Sequence, residues 1–434
     1  MSNARQISVE IIFQILNNKV FFSEAKAALK VEENADISFI NMLVLTTLRR
    51  LTFIKKVLYQ FLKKRSTPNL RFVDCALYVA AAEMLFLETP DYAVINSYVE
   101  IVKKKQDKYT ANFTNGVLRN LARIKDKVIW SVTSEFFPPE FIKVLQGYTR
   151  EQIRQIEEYS AQEAPLDLSF KSLEQAKIWS SKLDGTLLPN GSIRLENNGK
   201  ISALPGYQEG AWWVQDFAAS LPVLSLGKVE GLQVLDLCAA PGGKTAQLIS
   251  RGAITTALDI SKSRLQTLSE NLQRLNLTAQ DIICCDALEY LKGYKEPLFD
   301  IILLDAPCSA SGTLRRHPEL VHIKSANDIK QAARLQRQLL EMAGKALKEG
   351  GILLYTVCSI AKAEGEEQIQ TFLEQNTDYR LLPIKINDID FSGSKSLSVL
   401  ISPQGYIRTL PYYSGHQGGM DSFFVAKLQK VKNS

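Results

Sequence analysis

The spacing of apolar residues divides the chain into three stretches with different predicted structures. In residues 1–130, apolar side chains recur at the three- and four-residue spacing of an amphipathic helix, as in Ile7, Ile11 and Ile15. No strand-like alternation of apolar and polar residues interrupts this pattern before about residue 130. The first stretch is therefore predicted to be an all-α bundle, followed by a connector from Trp130 to Pro139.

The second stretch, residues 140–225, mixes helical and strand-like patterns. Helices are expected at 141–161 and 173–183, and a short strand is expected at 166–170. The segment Pro189-Asn190-Gly191-Ser192 predicts a hairpin turn, because Asn-Gly tolerates the positive φ of tight reversals. Together these features predict a small α+β module.

The third stretch, residues 226–434, alternates apolar strands with helices. This alternation is typical of a doubly wound parallel sheet with right-handed crossovers, so we expect a Rossmann-like α/β domain. The expected strands lie near residues 233–238, 254–260, 281–286, 299–305, 351–357 and 423–428.

Composition and the amino-terminal sequence favour a soluble globular protein. At 434 residues the chain is too long for a single core, and its 46% apolar and 23% charged residues are ordinary for globular proteins. The apolar stretches are short strands, so no segment is expected to cross a membrane. The amino terminus lacks the basic-then-apolar pattern of a secretion signal, and we therefore expect a cytoplasmic protein.

The six cysteines do not form a metal or disulfide pattern. Cys284 and Cys285 are adjacent, and no pair has the CxxC spacing, so we expect neither a zinc site nor a disulfide framework. We interpret these two adjacent cysteines as small buried apolar residues.

Positive charge is concentrated at the amino-terminal end. Residues 1–150 contain 22 Lys and Arg against 14 Asp and Glu, whereas the rest of the chain contains 30 against 32. Such an excess attracts phosphate, so a nucleic acid is the expected partner; the alternative is that each cluster is a solvated helix face. The basic clusters are Arg49-Arg50, Lys55-Lys56, Lys63-Lys64-Arg65 and Lys103-Lys104-Lys105.

Three motifs follow expected strands and carry the chemistry. Residues 236–245 form a Gly-rich turn into a helix, which suits a cofactor lying against bare backbone. Cys308 and Cys358 each follow another apolar run, so both thiols are expected at the carboxyl edge of one sheet. A nucleotide-phosphate loop is disfavoured, because Cys238 occupies the position where that loop requires its first glycine. These features predict a thiol-dependent group transfer.

The carboxyl-terminal half resembles the RNA cytosine-5 methyltransferases. The resemblance rests on Asp-Leu-Cys-Ala-Ala-Pro-Gly-Gly-Lys-Thr at 236–245, Asp-Ala-Pro-Cys-Ser at 305–309 and Val-Cys-Ser at 357–359. Residues 113–121 are similar to the NusB-like RNA-binding helical domain. The combination resembles the RsmB (Fmu/Sun) family of 16S rRNA (cytosine-5) methyltransferases with a NusB-like amino-terminal domain.

This resemblance implies S-adenosylmethionine as the cofactor. Asp259 corresponds to the carboxylate that accepts the ribose hydroxyls, Asp286 to the carboxylate near the adenine, and Arg264 is expected to wall the site. Asp305 is also expected to lie near the cofactor. The cofactor turn consists of Cys238, Ala239, Ala240, Pro241, Gly242, Gly243 and Lys244.

The resemblance also implies a covalent mechanism. Cytosine C5 is a poor nucleophile, so a thiolate must first add to C6. Cys358 matches the nucleophile, and Cys308 matches the cysteine associated with release of the product. Asp305 is expected to bond the N3/N4 edge of the base, and Lys244 is expected to reach the same base.

Several residues depart from the family pattern or have open roles. Val357, Gly365 and Ser422 stand where the family usually has Thr, Asn and Gly, which puts efficiency or base positioning in doubt. The segment 315–317, Arg-Arg-His, is expected at the catalytic edge, where it grips RNA phosphate or a flipped base, with His317 as a less favoured general base. Trp212-Trp213 is expected to pack the helix that leads into the catalytic core, with Gln215-Asp216 near the cofactor.

Two alternatives to this function stay open. The same chemistry can act on tRNA or on another rRNA cytosine, or the chain can be a non-catalytic RNA-binding or antitermination-like protein. The expected substrate is small-subunit rRNA, naked or in an early assembly intermediate, and the expected state is a monomer with no metal.

Overall fold

The structure is a computed structural model that describes residues 2–29, 36–62, 71–128, 136–196, 199–294, 299–393 and 396–431. The chain divides into two compact units. One contains residues 1–143, 148–162 and 314–325, and the other contains residues 144–147, 163–313 and 326–434. The expected boundary at residue 226 stays a prediction, because the second unit includes both the α+β module and the large sheet. The cluster at 63–65 and most of the connector lie outside the described residues.

The first unit is helical, as predicted for the described part of residues 1–130. Acidic caps begin two of its long helices: Asp36 accepts the N–H of Phe39 at 2.9 Å, and Asp107 accepts the N–H of Thr110 at 2.7 Å. The described helices up to residue 162 are α1 (Ser2–Asn18), α2 (Phe22–Ala28), α3 (Ile37–Tyr59), α4 (Phe72–Phe86), α5 (Asp91–Lys105), α6 (Lys108–Ile124), α7 (Pro139–Ile142) and α8 (Arg150–Ser160).

Helix α4 is the central element of this unit. Nearly all of its residues are buried, and it contacts α1, α3, α5 and α6. Its buried Glu83 accepts hydrogen bonds from the guanidinium of Arg5 at 2.5 Å and from the hydroxyl of Tyr98 at 3.0 Å. The carboxylate is therefore compensated by charge and hydrogen bonds inside an otherwise apolar bundle.

Helix α3 corrects the expectation that no segment is long and apolar enough to cross a membrane. Among the described residues it passes that test by length and composition, with a mean hydropathy of 1.4. Its buried residues include Ile40, Leu43 and Leu51, and the helix contacts α1 and α4. The core helix of a soluble protein passes the same test, so this is weak evidence for a membrane span.

The prediction of a single helix at 141–161 is also wrong, because the helix is interrupted between α7 and α8. Gly147 has a φ of +88°, a left-handed conformation that ends a helix. Thr149 then starts α8 as a cap, and its hydroxyl accepts the N–H of Gln152 at 3.2 Å.

The second unit begins with a small antiparallel sheet, as predicted for the module. Its strands are arranged in the order β2-β3-β1-β4. The hairpin turn is confirmed: Gly191 has a φ of +83°, and the N–H of Leu188 bonds the carbonyl of Ser192 at 2.8 Å. The elements are β1 (Leu166–Phe170), α9 (Leu173–Lys182), β2 (Thr186–Leu187), β3 (Ile193–Leu195), β4 (Trp212–Val214) and α10 (Phe217–Leu224).

The large sheet confirms the predicted α/β fold. Its strand order is β10-β12-β9-β8-β5-β6-β7, with β11 paired to β12. The five strands from β9 to β7 are parallel, and the predicted late strand β12 runs antiparallel beside β9. The elements are β5 (Gln233–Leu237), α11 (Gly243–Ser250), β6 (Ile254–Asp259), α12 (Lys262–Arg274), β7 (Asp281–Cys284), α13 (Ala287–Lys292), β8 (Phe299–Asp305), α14 (Leu320–Ile323), α15 (Ala326–Ala346), β9 (Leu347–Val357), α16 (Glu366–Gln375), β10 (Tyr379–Leu381), β11 (Ile407–Arg408) and β12 (Phe424–Lys430).

The segment 314–325, which contains α14, belongs to the helical unit and not to the sheet. Buried Glu319 accepts the N–H of Phe22 at 3.2 Å, and the ring of His322 lies 2.9 Å from the carbonyl of Leu48. Burial lowers the pKa of His322 to about 3, so the ring is neutral at physiological pH. The segment follows the Cys308 motif in sequence, which is why its packing partner was not predicted.

Candidate active site

The two motif cysteines meet at the carboxyl edge of the large sheet, as predicted. Cys308 follows β8 and Cys358 follows the neighbouring parallel strand β9, and their Sγ atoms lie 3.4 Å apart. The pKa of the Cys308 thiol is raised well above its usual range, first by this hydrogen bond and then by burial. Cys308 therefore keeps its proton and can donate it toward the Cys358 sulfur.

Lys244 and Asp305 lie at the same edge. The Lys244 ammonium donates to Oδ2 of Asp305 at 2.8 Å and lies 5.2 Å from the ring centre of Phe423. Burial alone would lower the pKa of Lys244, but the charge and hydrogen bond of Asp305 outweigh it, and the pKa is raised. Lys244 is thus a cation. No sequence pattern singled out Phe423 beyond its position before β12.

The Gly-rich turn has the backbone shape that its sequence predicts. Cys238 and Gly242 have φ values of +62° and +100°, and Gly242 leads directly into α11. A Cβ on Gly242 would lie 2.8 Å from the side chain of Leu268, so the turn packs tightly on α12. Burial raises the pKa of Cys238 to about 12, so this thiol is not a reactive group.

Asp236, at the base of this turn, is fully buried. Its Oδ2 accepts the hydroxyl of Thr245 at 2.6 Å, while its Oδ1 has no hydrogen-bond partner in the part of the chain that the structure describes. Burial raises the pKa of this carboxyl to about 7. The sequence analysis did not select Asp236, although it opens the Gly-rich motif.

Asp259 and Asp286 follow β6 and β7. Buried Asp259 accepts the N–H groups of Ala240 at 3.2 Å and Ser261 at 2.9 Å, and Arg264 lies 3.4 Å from its Oδ2. Arg264 also donates to the carbonyl of Ala240, so it lies at this corner of the turn. Asp286 is exposed and caps α13. Their roles toward a cofactor stay predictions.

A cleft of about 460 Å³ opens beside the Lys244–Asp305 pair. Trp213, Gln215 and Gly243 are among its lining residues. Both Trp212 and Trp213 are buried in β4, and the Trp213 indole N–H donates to Oε1 of Gln215 at 2.9 Å. The expected helix is α10, which Asp216 caps through the N–H of Ala218. Trp212 packs in the small sheet with Leu168, and Trp213 packs with Leu268 of α12. The described clusters that hold the two tryptophans contain no residue of α10, so the expected packing against that helix is not seen. Gln215 reaches the cleft.

Two expectations about other residues are corrected. Arg315 is only 2% exposed and packs in the helical unit, where its carbonyl accepts the guanidinium of Arg49 at 3.1 Å, so it is not presented for gripping RNA. His317 lies in the same unit, 3.3 Å from the carboxylate of Glu319. Cys284 is exposed and not buried, because it ends β7 at the edge of the sheet. Among the described residues, no group of His, Cys, Asp and Glu could hold a metal ion.

The positions that depart from the family pattern are packed. Val357 and Ser422 are fully buried, and the N–H of Ser422 bonds the carbonyl of Gly312 at 2.8 Å. A Cβ on Gly365 would collide with the guanidinium of Arg408 and would lie 2.9 Å from the ring of Phe424. The space that an Asn side chain would need at residue 365 is therefore filled by other side chains.

The fold and this site define a methyltransferase with a Rossmann-like catalytic sheet. The family model described as 16S rRNA methyltransferase RsmB/F matches residues 223–429, and the NusB family model matches residues 2–123. The chain belongs to the RsmB/F family of 16S rRNA methyltransferases.

Individual relatives agree with this assignment over the full length. Ribosomal RNA small subunit methyltransferase B of Pasteurella multocida (strain Pm70) is 30% identical, and the match covers 99% of this chain and 96% of the relative. The protein of the same name from Serratia proteamaculans (strain 568) is 32% identical, with 99% of each chain covered. The crystal structure of PH0851 has the same fold, with a TM-score of 0.76, 22% identity, and coverage of 98% of this chain and 99% of that one.

Proposed function

We propose that the chain transfers a methyl group from S-adenosylmethionine to C5 of a cytosine in 16S rRNA, through a covalent bond between Cys358 and C6. The observation that carries this proposal is the 3.4 Å contact between the Cys308 and Cys358 sulfurs at the edge that also holds Lys244 and Asp305. A reacting thiol next to a second thiol and a carboxylate is what an addition–elimination on a pyrimidine requires.

The residues of the Gly-rich turn fit the proposed cofactor. The turn presents bare backbone at Gly242 and Gly243 to the start of α11, and Asp236 has an unbonded buried oxygen that a cofactor ammonium group would satisfy. Asp259, Arg264 and Asp286 would hold the nucleoside portion. When bound, S-adenosylmethionine supplies an electrophilic methyl group on a sulfonium.

The protein groups suit distinct steps on the base. Cys358, after giving its thiol proton to water, attacks C6 as a thiolate: the sulfur–C6 bond forms while the C5–C6 π electron pair moves onto C5 and the N3 side of the ring. Asp305 bonds the N3/N4 edge, while Lys244 keeps Asp305 oriented and offsets charge in the pocket. These roles rely on groups whose side chains are already paired, so the site is preorganised for them.

Cys308 suits the release step. The hydrogen bond with Cys358 is the largest cause of its raised pKa, and that cause disappears when the Cys358 sulfur is bonded to C6, whereas burial continues to raise the pKa. Once Cys308 has passed its own proton to water, its thiolate accepts the C5 proton. The electron pair of the C5–H bond reforms the C5–C6 double bond, and the Cys358–C6 bond breaks with its pair returning to sulfur.

The RNA substrate is proposed from the relatives and the helical unit. The relatives are named as small-subunit rRNA methyltransferases, and the NusB family match covers residues 2–123. We therefore favour 16S rRNA, naked or in an early assembly intermediate, acted on in the cytoplasm by a monomer. The alternative is that the target cytosine lies in tRNA or in another rRNA, and the following experiment distinguishes this alternative from 16S rRNA.

The test uses methyl-labelled S-adenosylmethionine and unmodified 16S rRNA with four proteins: wild type, Cys358→Ala, Cys308→Ala and Cys284→Ala. We expect 5-methylcytosine with wild type and with Cys284→Ala, which removes an exposed thiol outside the Cys308–Cys358 pair. Cys358→Ala should give no label, and Cys308→Ala should accumulate a denaturant-resistant protein–RNA adduct. Label on another RNA, and none on 16S rRNA, would mean that the chemistry is right but the substrate is that other RNA. No label on any RNA would favour an RNA-binding protein without catalytic activity.

A further inference from the structure

We propose that Glu364 is a positioning residue whose buried carboxylate holds the two cysteine-bearing loops at their reacting distance. The proposal rests on the function above, because it takes Cys308 and Cys358 as the reacting thiols. Glu364 lies in the short turn after β9 and does not itself contact a thiol in the described hydrogen bonds.

The carboxylate of Glu364 collects four hydrogen bonds although its side chain is fully buried. Oε1 accepts the N–H of Ser309 at 2.8 Å and the amide of Gln336 at 3.0 Å. Oε2 accepts the hydroxyls of Ser309 and Ser359, each at 2.5 Å. Bonds of this kind to a charged acceptor are stronger than neutral ones, and they offset the cost of burying the carboxylate.

The two serines explain why this carboxylate matters for the thiols. Ser309 directly follows Cys308, and Ser359 directly follows Cys358. Backbone hydrogen bonds join the two strand ends before and after Cys308: the N–H of Ala306 bonds the carbonyl of Thr356 at 2.9 Å, and the N–H of Gly312 bonds the carbonyl of Cys358 at 3.0 Å. Between these two backbone bonds, the Oε2 atom of Glu364 adds a side-chain connection one residue beyond the sulfurs, and this connection holds the thiol-bearing parts of both loops.

Neighbouring groups make the connection rigid. Gln336 donates both to Glu364 and to the carbonyl of Pro307, at 2.9 Å, and so holds the residue before Cys308 as well. On the other side, the guanidinium of Arg408 donates to the carbonyl of Ser359 at 2.6 Å. A substitution that leaves a cavity at residue 364, or a rotation of the Glu364 carboxylate, would therefore loosen both loops.

Substitution with glutamine separates geometry from charge. Glutamine keeps one acceptor oxygen for Ser309 and Gln336, and its amide can donate to the two serine hydroxyl oxygens, which rotate to accept. Glu364→Gln should hold the loops nearly as well as Glu364 does. Glu364→Ala removes the connection and leaves the donors without an acceptor. Glu367→Ala is a matched control, because Glu367 is an exposed glutamate of the same turn-and-helix segment.

The first measurement is independent of methylation. Diamide oxidises the two thiols to a disulfide, with two electrons and two protons passing to its N=N bond, and mass spectrometry of the Cys308–Cys358 peptide pair follows the rate. We expect equal rates for wild type and Glu367→Ala, a rate within threefold for Glu364→Gln, and at least a tenfold slower rate for Glu364→Ala. If Glu364→Ala fails to fold, Ser359→Ala replaces it in this test. This variant removes one of the four hydrogen bonds to the Glu364 carboxylate and should slow formation of the Cys308–Cys358 disulfide several-fold.

The second measurement is single-turnover methylation. Glu364→Ala should lower the rate at saturating RNA on the order of 100-fold with little change in the RNA concentration for half-saturation, and Glu364→Gln should recover most of the rate. Unchanged disulfide closure in folded Glu364→Ala, or in Ser359→Ala where the first does not fold, overturns the positioning role. Failure of wild type to methylate any RNA would overturn the proposed function, while the closure rates would still decide the role of Glu364.

Discussion

The Lys244 ammonium donates a 2.8 Å hydrogen bond to Oδ2 of Asp305, and this contact joins the helix after β5 to the end of β8. Asp305 raises the pKa of Lys244 against the effect of burial, so Lys244 is a cation at neutral pH in the candidate active site. Lys244 therefore depends on Asp305 to stay charged inside the pocket.

Replacing Asp305 with asparagine should affect both residues. Asp305→Asn removes the charge that keeps Lys244 protonated and weakens the proposed bond to the N3/N4 edge of the base, so we expect the single-turnover methylation rate to fall on the order of 100-fold. Lys244→Met should produce a similar loss, and the double variant should lose little more, because the two act as one unit. Independent, additive losses in this cycle would contradict the pairing.

Asp236 predicts a distinctive pH dependence of stability. Its carboxyl has a pKa of about 7 in the folded protein, whereas an unfolded aspartate titrates near 4. Because the folded-state pKa is raised, the group stabilises the fold fully below about pH 4, and this contribution is lost as the pH rises to about 7.

The loss amounts to at most about 4 kcal/mol for a shift of about three pKa units. Asp236→Asn, which does not titrate, should therefore show a flatter stability profile than wild type between pH 5 and pH 8. Denaturant unfolding at four pH values, without added cofactor, measures the difference between the two proteins. Parallel profiles would mean that Asp236 titrates normally in the folded chain.

The sequence predicted well which residues meet at the carboxyl edge of the sheet, because each element there has a local signal. Cys308 and Cys358 follow apolar runs, and parallel strands bring their carboxyl ends together whatever lies between them in sequence. The Gly-rich turn needs positive φ at Gly242, which its composition makes possible. These features depend on neighbouring residues along the chain, so periodicity and motif spacing were sufficient.

What the sequence did not predict depends on contacts between distant segments. Residues 314–325 were assigned to the catalytic domain by position, but Glu319 and His322 bond Phe22 and Leu48 of the helical unit. Glu364 was passed over because its partners, Ser309 and Gln336, lie 55 and 28 residues away. Neither helix nor strand periodicity carries information about such pairings.

Two glycines should respond in opposite ways to the same substitution. A Cβ on buried Gly312 would collide with the carbonyl of Ser422 and lie 2.9 Å from that of Cys358, both of which are backbone atoms. Gly312→Ala should therefore destabilise the protein by about 1–3 kcal/mol and shift the Cys358 loop. Exposed Gly116, inside α6, has nothing within 4 Å of such a Cβ.

Gly116→Ala should stabilise the helix by about 0.5–1 kcal/mol, since alanine is the better helix former. Denaturant unfolding of the two variants and of wild type gives both signs in one experiment, and methylation should fall only in Gly312→Ala. A neutral Gly312→Ala would show that the 421–423 segment moves aside without cost.

The basic clusters of the helical unit differ in exposure. Lys103, Lys104 and Lys105 are exposed at the end of α5, with Lys103 and Lys105 paired to Glu100 and Glu10 at 3.5 and 2.7 Å. By contrast, the cluster at 49–50 is partly buried: burial lowers the pKa of Arg50, whose guanidinium lies 5.3 Å from the ring centre of Phe86. The exposed cluster is therefore the better candidate for contact with RNA phosphate.

Replacing all three exposed lysines with alanine should weaken RNA binding several-fold and reduce its salt dependence. Each lost phosphate contact reduces the magnitude of the negative slope of log affinity against log salt by roughly 0.7–0.9, because fewer counterions are released on binding. Filter binding at four salt concentrations measures this slope. Lys330→Ala/Lys345→Ala, which removes two exposed lysines of α15, serves as the control and should leave the slope nearly unchanged. Equal slopes for the triple variant and wild type would mean that RNA is held by other residues.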